Sequence, residues 1–327
     1  MRTTTLDLGA PTSAPTVVVA PSAERLRSHP ATARTGTDTP WSALLDAARQ
    51  ADVLPAPVHE ALLGFADAPG PGAALLVRGL PVGDLPATPA HPTDPTGKDH
   101  VSELVVLAAA RRLGQPVGYR PEHGGAIVQT LVPTRADATA QTSTSSAVDL
   151  AWHTETAFHR HKPRHLLLLC LRGDPAAATL LATVTDVLAR LSPEVVDVLR
   201  QPRFRTRVDA SFSPADPHAR TAPAPVIGGR ADDPTLWFDE DLMEGDDPLA
   251  EVALTELGRA VHDAQQRVVL DTGDLLVVDN DRAVHGRSPF RARFDGTDRW
   301  LQRAFVVPDL TTCGASHHDR VLDTVLA

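Results

Sequence analysis

The stretch "LAWHTETAFHRHKPRHLLLLCLR", Leu150 to Arg172, crowds four histidines and a glutamate against a run of leucines. An apolar run of this length, bounded by polar residues, reads as a strand that must be buried. The polar residues ahead of it then lie at the edge of a buried sheet. Downstream and upstream the chain repeats short β-rich runs: "AIVQTLVP", "TLLATV", "RVVLDTGDLLVVDN" and "RWLQRAFVVP". Gly, Pro and Asp turns separate them. Two helices interrupt the series, "SPEVVDVLRQP" and "PLAEVALTELGRAVHDAQQR". Strands without regular helix alternation argue against a Rossmann-type sheet. They favour an antiparallel barrel or jelly roll with helices packed outside.

Before this region the pattern is helical. "WSALLDAARQADVL" (Trp41 to Leu54), "PVHEALLGFAD" (Pro57 to Asp67) and "VSELVVLAAARRLGQ" (Val101 to Gln115) carry apolar residues at helical spacing, the last stopped by Gly114. "GAALLVRGLPV" (Gly72 to Val82) reads as a buried strand that Pro81 ends. Residues 1–39 are rich in Pro, Ser, Thr and Ala and read as a partly disordered leader. The expected organisation is a single domain over 40–327, with a helical part to about 115, a β core over about 116–308 and a C-terminal tail.

The 327 residues hold 31 basic and 41 acidic side chains, a formal charge of −10, with no cationic run. That balance gives no support to nucleic-acid or anionic-membrane binding. Two cysteines, Cys170 and Cys313, make no disulfide framework, and Cys170 inside the leucine run reads as a core thiol. With no signal-peptide pattern at the N-terminus, a cytoplasmic protein is expected.

His153 and Glu155 are two apart, so on an extended strand both project from one face. An imidazole and a carboxylate form a mixed ligand pair for a borderline divalent metal, and His285 in "DLLVVDNDRAVHGRSPF" is the candidate third ligand. HxE alone is common by chance. Arg299 and Arg303 in "FDGTDRWLQRAFVV" strengthen the reading, because two guanidiniums inside an apolar strand are costly without anions. Small carboxylates suit them. Three open metal positions beside two carboxylate receivers point to an oxygenase using a 2-oxo acid and an acidic or amino-acid substrate. A His2Glu zinc hydrolase is an alternative for the triad alone, but it leaves both arginines without a reason. A catalytically silent binding protein on the same fold is another.

The segments "WHTE", "AATLLATV" and "DLLVVDNDRAVHGRSPFRARFDGTDRWLQR" resemble the clavaminate synthase-like 2-oxoglutarate/Fe(II) dioxygenases, over roughly Leu75 to Pro308. Within that group the chain is most similar to bacterial hydroxylases of free lysine, arginine or asparagine. The resemblance implies an α+β fold with a distorted jelly-roll (double-stranded β-helix) core and surrounding helices. It implies Fe(II) held by His153, Glu155 and His285, with 2-oxoglutarate and O2 as co-substrates. Arg299 matches the receiver of the distal carboxylate of 2-oxoglutarate and Thr179 its hydroxyl partner. Some relatives have a second threonine where Leu180 stands here. Arg303 matches the receiver of the substrate α-carboxylate, Glu122 that of the α-amino group, and Asp239 the acid at the far end. Residues 140–147 and 211–226 fall where the family has mobile loops. His159, His161 and His165 match no ligand and are expected at the surface or behind the ligands.

The expected reaction is hydroxylation of a free L-amino acid, of the basic class, at C3 or C4. Asparagine, glutamine or a carrier-bound amino acid remains the alternative substrate.

Overall fold

The computed structural model describes residues 13–327, apart from 22, 34–40, 51–52, 214, 217 and 319. Its strands begin with β1 (Thr16–Val19), β2 (Ala74–Arg78), β3 (Gln115–Tyr119), β4 (Val128–Leu131), β5 (Leu150–His153), β6 (His165–Arg172) and β7 (Ala178–Thr183). They continue with β8 (Phe204–Thr206), β9 (Ile227–Arg230), β10 (Asp233–Leu236), β11 (Met243–Gly245) and β12 (Gln266–Val269). The last are β13 (Leu275–Asp279), β14 (Ala283–Arg287), β15 (Trp300–Val307), β16 (His317–His318) and β17 (Val321–Leu322). Helices are α1 (Glu24–Ser28), α2 (Trp41–Ala47), α3 (Ala56–Asp67), α4 (Val101–Leu113), α5 (Val184–Leu188), α6 (Pro193–Leu199) and α7 (Pro248–Asp263).

Two sheets make the core. In the larger, the antiparallel order β2-β13-β6-β15 continues to β4 and β3, which pair with successive parts of β15. The smaller has the antiparallel order β12-β7-β14-β5. The chain changes sheet at β4 to β5, β5 to β6 and β6 to β7. It does so again at each step from β12 to β15. Between β4 and β15, the excursion from β7 to β12, which carries α5, α6 and α7, begins and ends in the smaller sheet.

The leucine strand β6 shows why this works. Leu166, Leu168 and Cys170 pack between the sheets with Leu181 of β7, Val268 of β12 and Phe305 of β15. Leu167, Leu169 and Leu171 face the other way, against α2, α3 and α4. A strand buried on both faces needs a continuous apolar run rather than alternation. Each buried leucine contributes about 1.5–3 kcal/mol. On the far side, Trp152, Ala178, Leu180 and Val284 of the smaller sheet pack against Leu254, Leu257 and Val261 of α7.

Several local expectations shift. Within the segment read as a leader, β1 pairs parallel to β2 and Leu26 of α1 is fully buried, so both elements pack against the rest of the fold. Residues 1–12 and 34–40 lie outside the described residues. The first predicted helix ends at Ala47, not Leu54. The strand over 72–82 is β2 alone, and the chain turns at Gly79 (φ 82°) before reaching Pro81. Helix α4 stops at Gly114, whose φ is 153° and whose Cβ position lies 2.5 Å from the Val307 carbonyl oxygen. Asp247 caps α7 by accepting the Leu249 and Ala250 N–H groups, worth about 1 kcal/mol. The tail is not loose, since β17 adds to β3. Cys170 is buried as expected. His159 and His165 are buried too, His159 completely. No helix among the described residues is long and apolar enough to cross a membrane.

Candidate active site

Neighbouring strands of the smaller sheet bring the first three candidates together. His153, the last residue of β5, and His285 of β14 are Cα partners, and their rings lie 4.2 Å apart between centroids. Glu155 follows two residues later, where the chain leaves β5. Ligand atoms of His153, Glu155 and His285 all lie within 4.8 Å of one another. Nδ1–H of His153 donates to the Ala151 carbonyl at 2.8 Å, which leaves Nε2 free to face the shared point. Nε2 of His285 is 3.5 Å from Glu155 Oε2. Burial, helped by His153, holds the His285 imidazole at about 4, so it is neutral near pH 7.

Glu155 is itself held by a residue the sequence reading missed. Its N–H donates to Asn280 Oδ1 at 2.8 Å, and Asn280 Nδ2 donates to the Glu155 and Pro163 carbonyls at 3.2 and 2.9 Å. Asn280 is fully buried in the turn between β13 and β14, five residues before His285. Burial raises the Glu155 pKa, but Arg303 and the two imidazoles outweigh it and bring it to about 2. Two imidazoles and an ionised carboxylate, converging at this spacing, fit a borderline divalent metal.

Arg303 on β15 reaches the same point from the larger sheet. Its guanidinium lies 3.3 and 3.5 Å from the Glu155 oxygens and pairs with Glu122. Nε and a terminal nitrogen donate to Gln129 Oε1 at 2.9 and 2.6 Å. Gln129, on β4, is a second residue that sequence reasoning missed. Burial raises the Glu122 carboxyl against the pull of Arg303, and Glu122 Oε2 is buried without a hydrogen-bond partner.

Arg299 and Thr179 line a small inner chamber of about 50 Å³, together with His153, Glu155, His285, Arg287 and Arg303. Among the described residues Arg299 has no carboxylate partner, although it is only 8% exposed. Burial lowers its pKa to about 10. The donor chemistry of this chamber fits a carboxylate arriving from outside the chain.

The outer cleft is larger, about 540 Å³, and Glu122, His153, Glu155, Asp239 and Arg303 all line it. The main chain of Asp239 bridges that of His153. Its Oδ1 accepts the N–H groups of Asp241 and Leu242 at 3.1 and 2.9 Å. Burial raises its carboxyl to about 6 despite His153 and those two bonds. Of the two expected loops, residues 141–144 and Ser211 and Phe212 lie against the cleft. Every site residue expected from the sequence thus borders one of two adjoining cavities.

Residues 96–305 match the family model described as taurine catabolism dioxygenase TauD, TfdA family. The chain is 40% identical over 278 residues to the L-asparagine oxygenase of Streptomyces coelicolor, covering 84% of this chain and 82% of that one. It is 38% identical to the L-lysine 3-hydroxylase of Catenulispora acidiphila, covering 72% and 67%. A solved asparagine oxygenase, in complex with Fe(II), a 3-hydroxyasparagine and succinate, superposes with a TM-score of 0.86 at 37% identity, over 94% of this chain and 99% of that one. The chain belongs to the TauD/TfdA family, as a clavaminate synthase-like dioxygenase dependent on Fe(II) and 2-oxoglutarate.

Proposed function

We propose that the protein hydroxylates a free L-amino acid with a basic side chain (lysine, arginine or ornithine) at C3 or C4, while 2-oxoglutarate becomes succinate and CO2. The observation that carries this reading is the convergence of a His-Glu-His cluster, an unpaired buried arginine and an Arg-Glu pair on two adjoining cavities. The repeated exchange of the chain between the larger sheet and the four-stranded sheet supports the jelly-roll reading of the core.

Bound Fe(II), with 2-oxoglutarate and O2, supplies the oxidising chemistry that puts one oxygen atom into a C–H bond. The chain's own part is positioning. His153, Glu155 and His285 would hold the metal, and the two cavities beside them would take the substrates. Arg299 and Thr179 receive the far carboxylate of 2-oxoglutarate. Arg303 and Glu122 form a fixed cation–anion pair that matches an amino-acid zwitterion, carboxylate to Arg303 and ammonium to Glu122. Asp239 then faces the distal end, where a cationic side chain needs a compensating acid once water is excluded. Phe158, Phe212 and Leu242 give the cleft its apolar wall.

The test incubates Fe(II)-loaded protein with 2-oxoglutarate and each free amino acid, ornithine and citrulline included. The expected result is a gain of one oxygen on a basic amino acid, with succinate formed in equal amount and lost in His285→Ala. Undiminished turnover by that variant would remove the triad reading. One observation favours a second reading: a relative that is 40% identical over most of both chains is an L-asparagine oxygenase, so asparagine or glutamine is the alternative substrate.

A further inference from the structure

Arg287 has no role in the reaction as described so far, yet it borders the same inner chamber as Arg299 and Thr179. It lies two residues beyond His285 on β14, is a Cα partner of Thr179 on β7, and is 4% exposed. A guanidinium carries five N–H donors. The terminal nitrogens donate to Ser146 O (3.4 Å), Ser288 O (3.1 Å), Ser145 Oγ (2.7 Å) and Val148 O (3.3 Å). Nε is buried and has no acceptor. All four acceptors are neutral, and among the described residues no carboxylate bonds this cation.

A side chain that only stapled the 145–148 segment would need no charge. Burying a full cation against neutral oxygens is costly, and an incoming anion removes that cost. The segment it holds continues directly from Thr142, Ser143 and Thr144, which line the amino-acid cleft. We propose that Arg287 is a second guanidinium for the far carboxylate of the 2-oxo acid, and that by this contact co-substrate binding fixes the 145–148 segment beside the cleft. The inference rests on the inner chamber being the 2-oxoglutarate site.

The test uses Fe(II)-loaded enzyme without O2 and reads binding rather than turnover. Calorimetry compares 2-oxoglutarate with 2-oxobutyrate, which lacks the far carboxylate, on wild type and Arg287→Lys. Lysine keeps the charge but not the Nε–H. Arg287→Lys is expected to weaken 2-oxoglutarate roughly 10- to 100-fold and leave 2-oxobutyrate unchanged. Hydrogen exchange should show 2-oxoglutarate slowing the amides of residues 143–148 in wild type. Ser145→Ala, which removes one staple and leaves the guanidinium, should lessen that slowing. Equal weakening of both acids, or none, in Arg287→Lys would overturn the proposal. So would wild-type exchange indifferent to 2-oxoglutarate, a readout that stands even if the lysine variant does not fold. Wild type that binds no 2-oxoglutarate would instead overturn the chamber's assignment, and the inference with it.

Discussion

Arg303 stands four residues beyond Arg299 along the same strand run, and the two guanidiniums meet opposite circumstances. Arg303 is tied to Glu155, Glu122 and Gln129, and those two acids raise its pKa against the cost of burial. Among the described residues Arg299 has no such partner, and burial lowers it to about 10. The argument that a buried guanidinium calls for an outside anion therefore applies to Arg299 directly. For Arg303 the anions are already present, and a ligand must exchange with them.

That difference predicts a split between two conservative variants. Arg299→Lys loses the bidentate fork at an otherwise unpaired site and should raise the KM for 2-oxoglutarate roughly 10- to 100-fold. The KM for the amino acid should barely move. Arg303→Lys should do the reverse, raising the amino-acid KM. Steady-state kinetics with each substrate varied in turn checks this. Equal effects of both variants on both substrates would contradict the assignment.

The candidate metal cluster was legible in part: the two-residue spacing of His153 and Glu155 drew attention to the pair, although Glu155 lies in the turn after β5 rather than on the strand, and His285 is brought in from β14. Gln129 beside Arg303 was not legible, and Glu122 was expected for the substrate's amino group but not as a partner of Arg303. Gln129 and Glu122 lie 174 and 181 residues away in sequence, and only the pairing of β4 with β15 and the turn after β3 bring them in. Asn280 was hidden for a similar reason, since an asparagine in a turn reads as turn chemistry. β1 was hidden by its short length and its place in a Pro-rich stretch. Its four residues, TVVV, are β-prone, but prolines flank the run, and it is held by a parallel partner more than fifty residues away.

Asn280 supplies the second prediction. Its amide holds both the N–H and the carbonyl of Glu155, so Asn280→Ala leaves that peptide unsatisfied and the carboxylate poorly aimed. Loss of a partner behind a metal ligand typically weakens metal binding about 10- to 100-fold. Titration of the purified variant with Fe(II) under anaerobic conditions should show that loss while circular dichroism remains that of the wild type. Unchanged metal affinity would assign Asn280 to the turn alone.

A third prediction concerns acid. His159 accepts the His161 N–H at Nδ1 and donates from Nε2 to the Asp323 carbonyl, an arrangement only the neutral ring can make. Burial lowers its pKa from 6.5 to about 4. Between those values the unfolded chain binds the proton and the folded one does not, so stability falls as pH drops from about 6.5 to about 4 and levels off below. The shift corresponds to roughly 3 kcal/mol in full. Urea midpoints measured from pH 7 to pH 4 should show the fall, and His159→Gln should flatten part of it. An identical pH slope in the variant would exclude His159 as a source.

The last prediction bears on substrate choice. Asp239 presents two oxygens with different duties. Oδ1 accepts the N–H groups of Asp241 and Leu242, and Oδ2 makes no hydrogen bond among the described residues. Asp239→Asn keeps an acceptor for the two N–H groups and removes the charge, so it separates ligand recognition from the shape of the turn. A hydrogen bond to a charged partner is worth about 1.5–3 kcal/mol. A basic amino acid should therefore show a KM raised about 10- to 100-fold, with the 2-oxoglutarate requirement unchanged. Asparagine carries no distal charge, and its KM should respond far less to the same substitution. The comparison needs only the wild type, the variant and two amino acids assayed side by side. A basic substrate indifferent to Asp239→Asn, or a wild type that prefers asparagine over every basic amino acid, would transfer the assignment to the amide class.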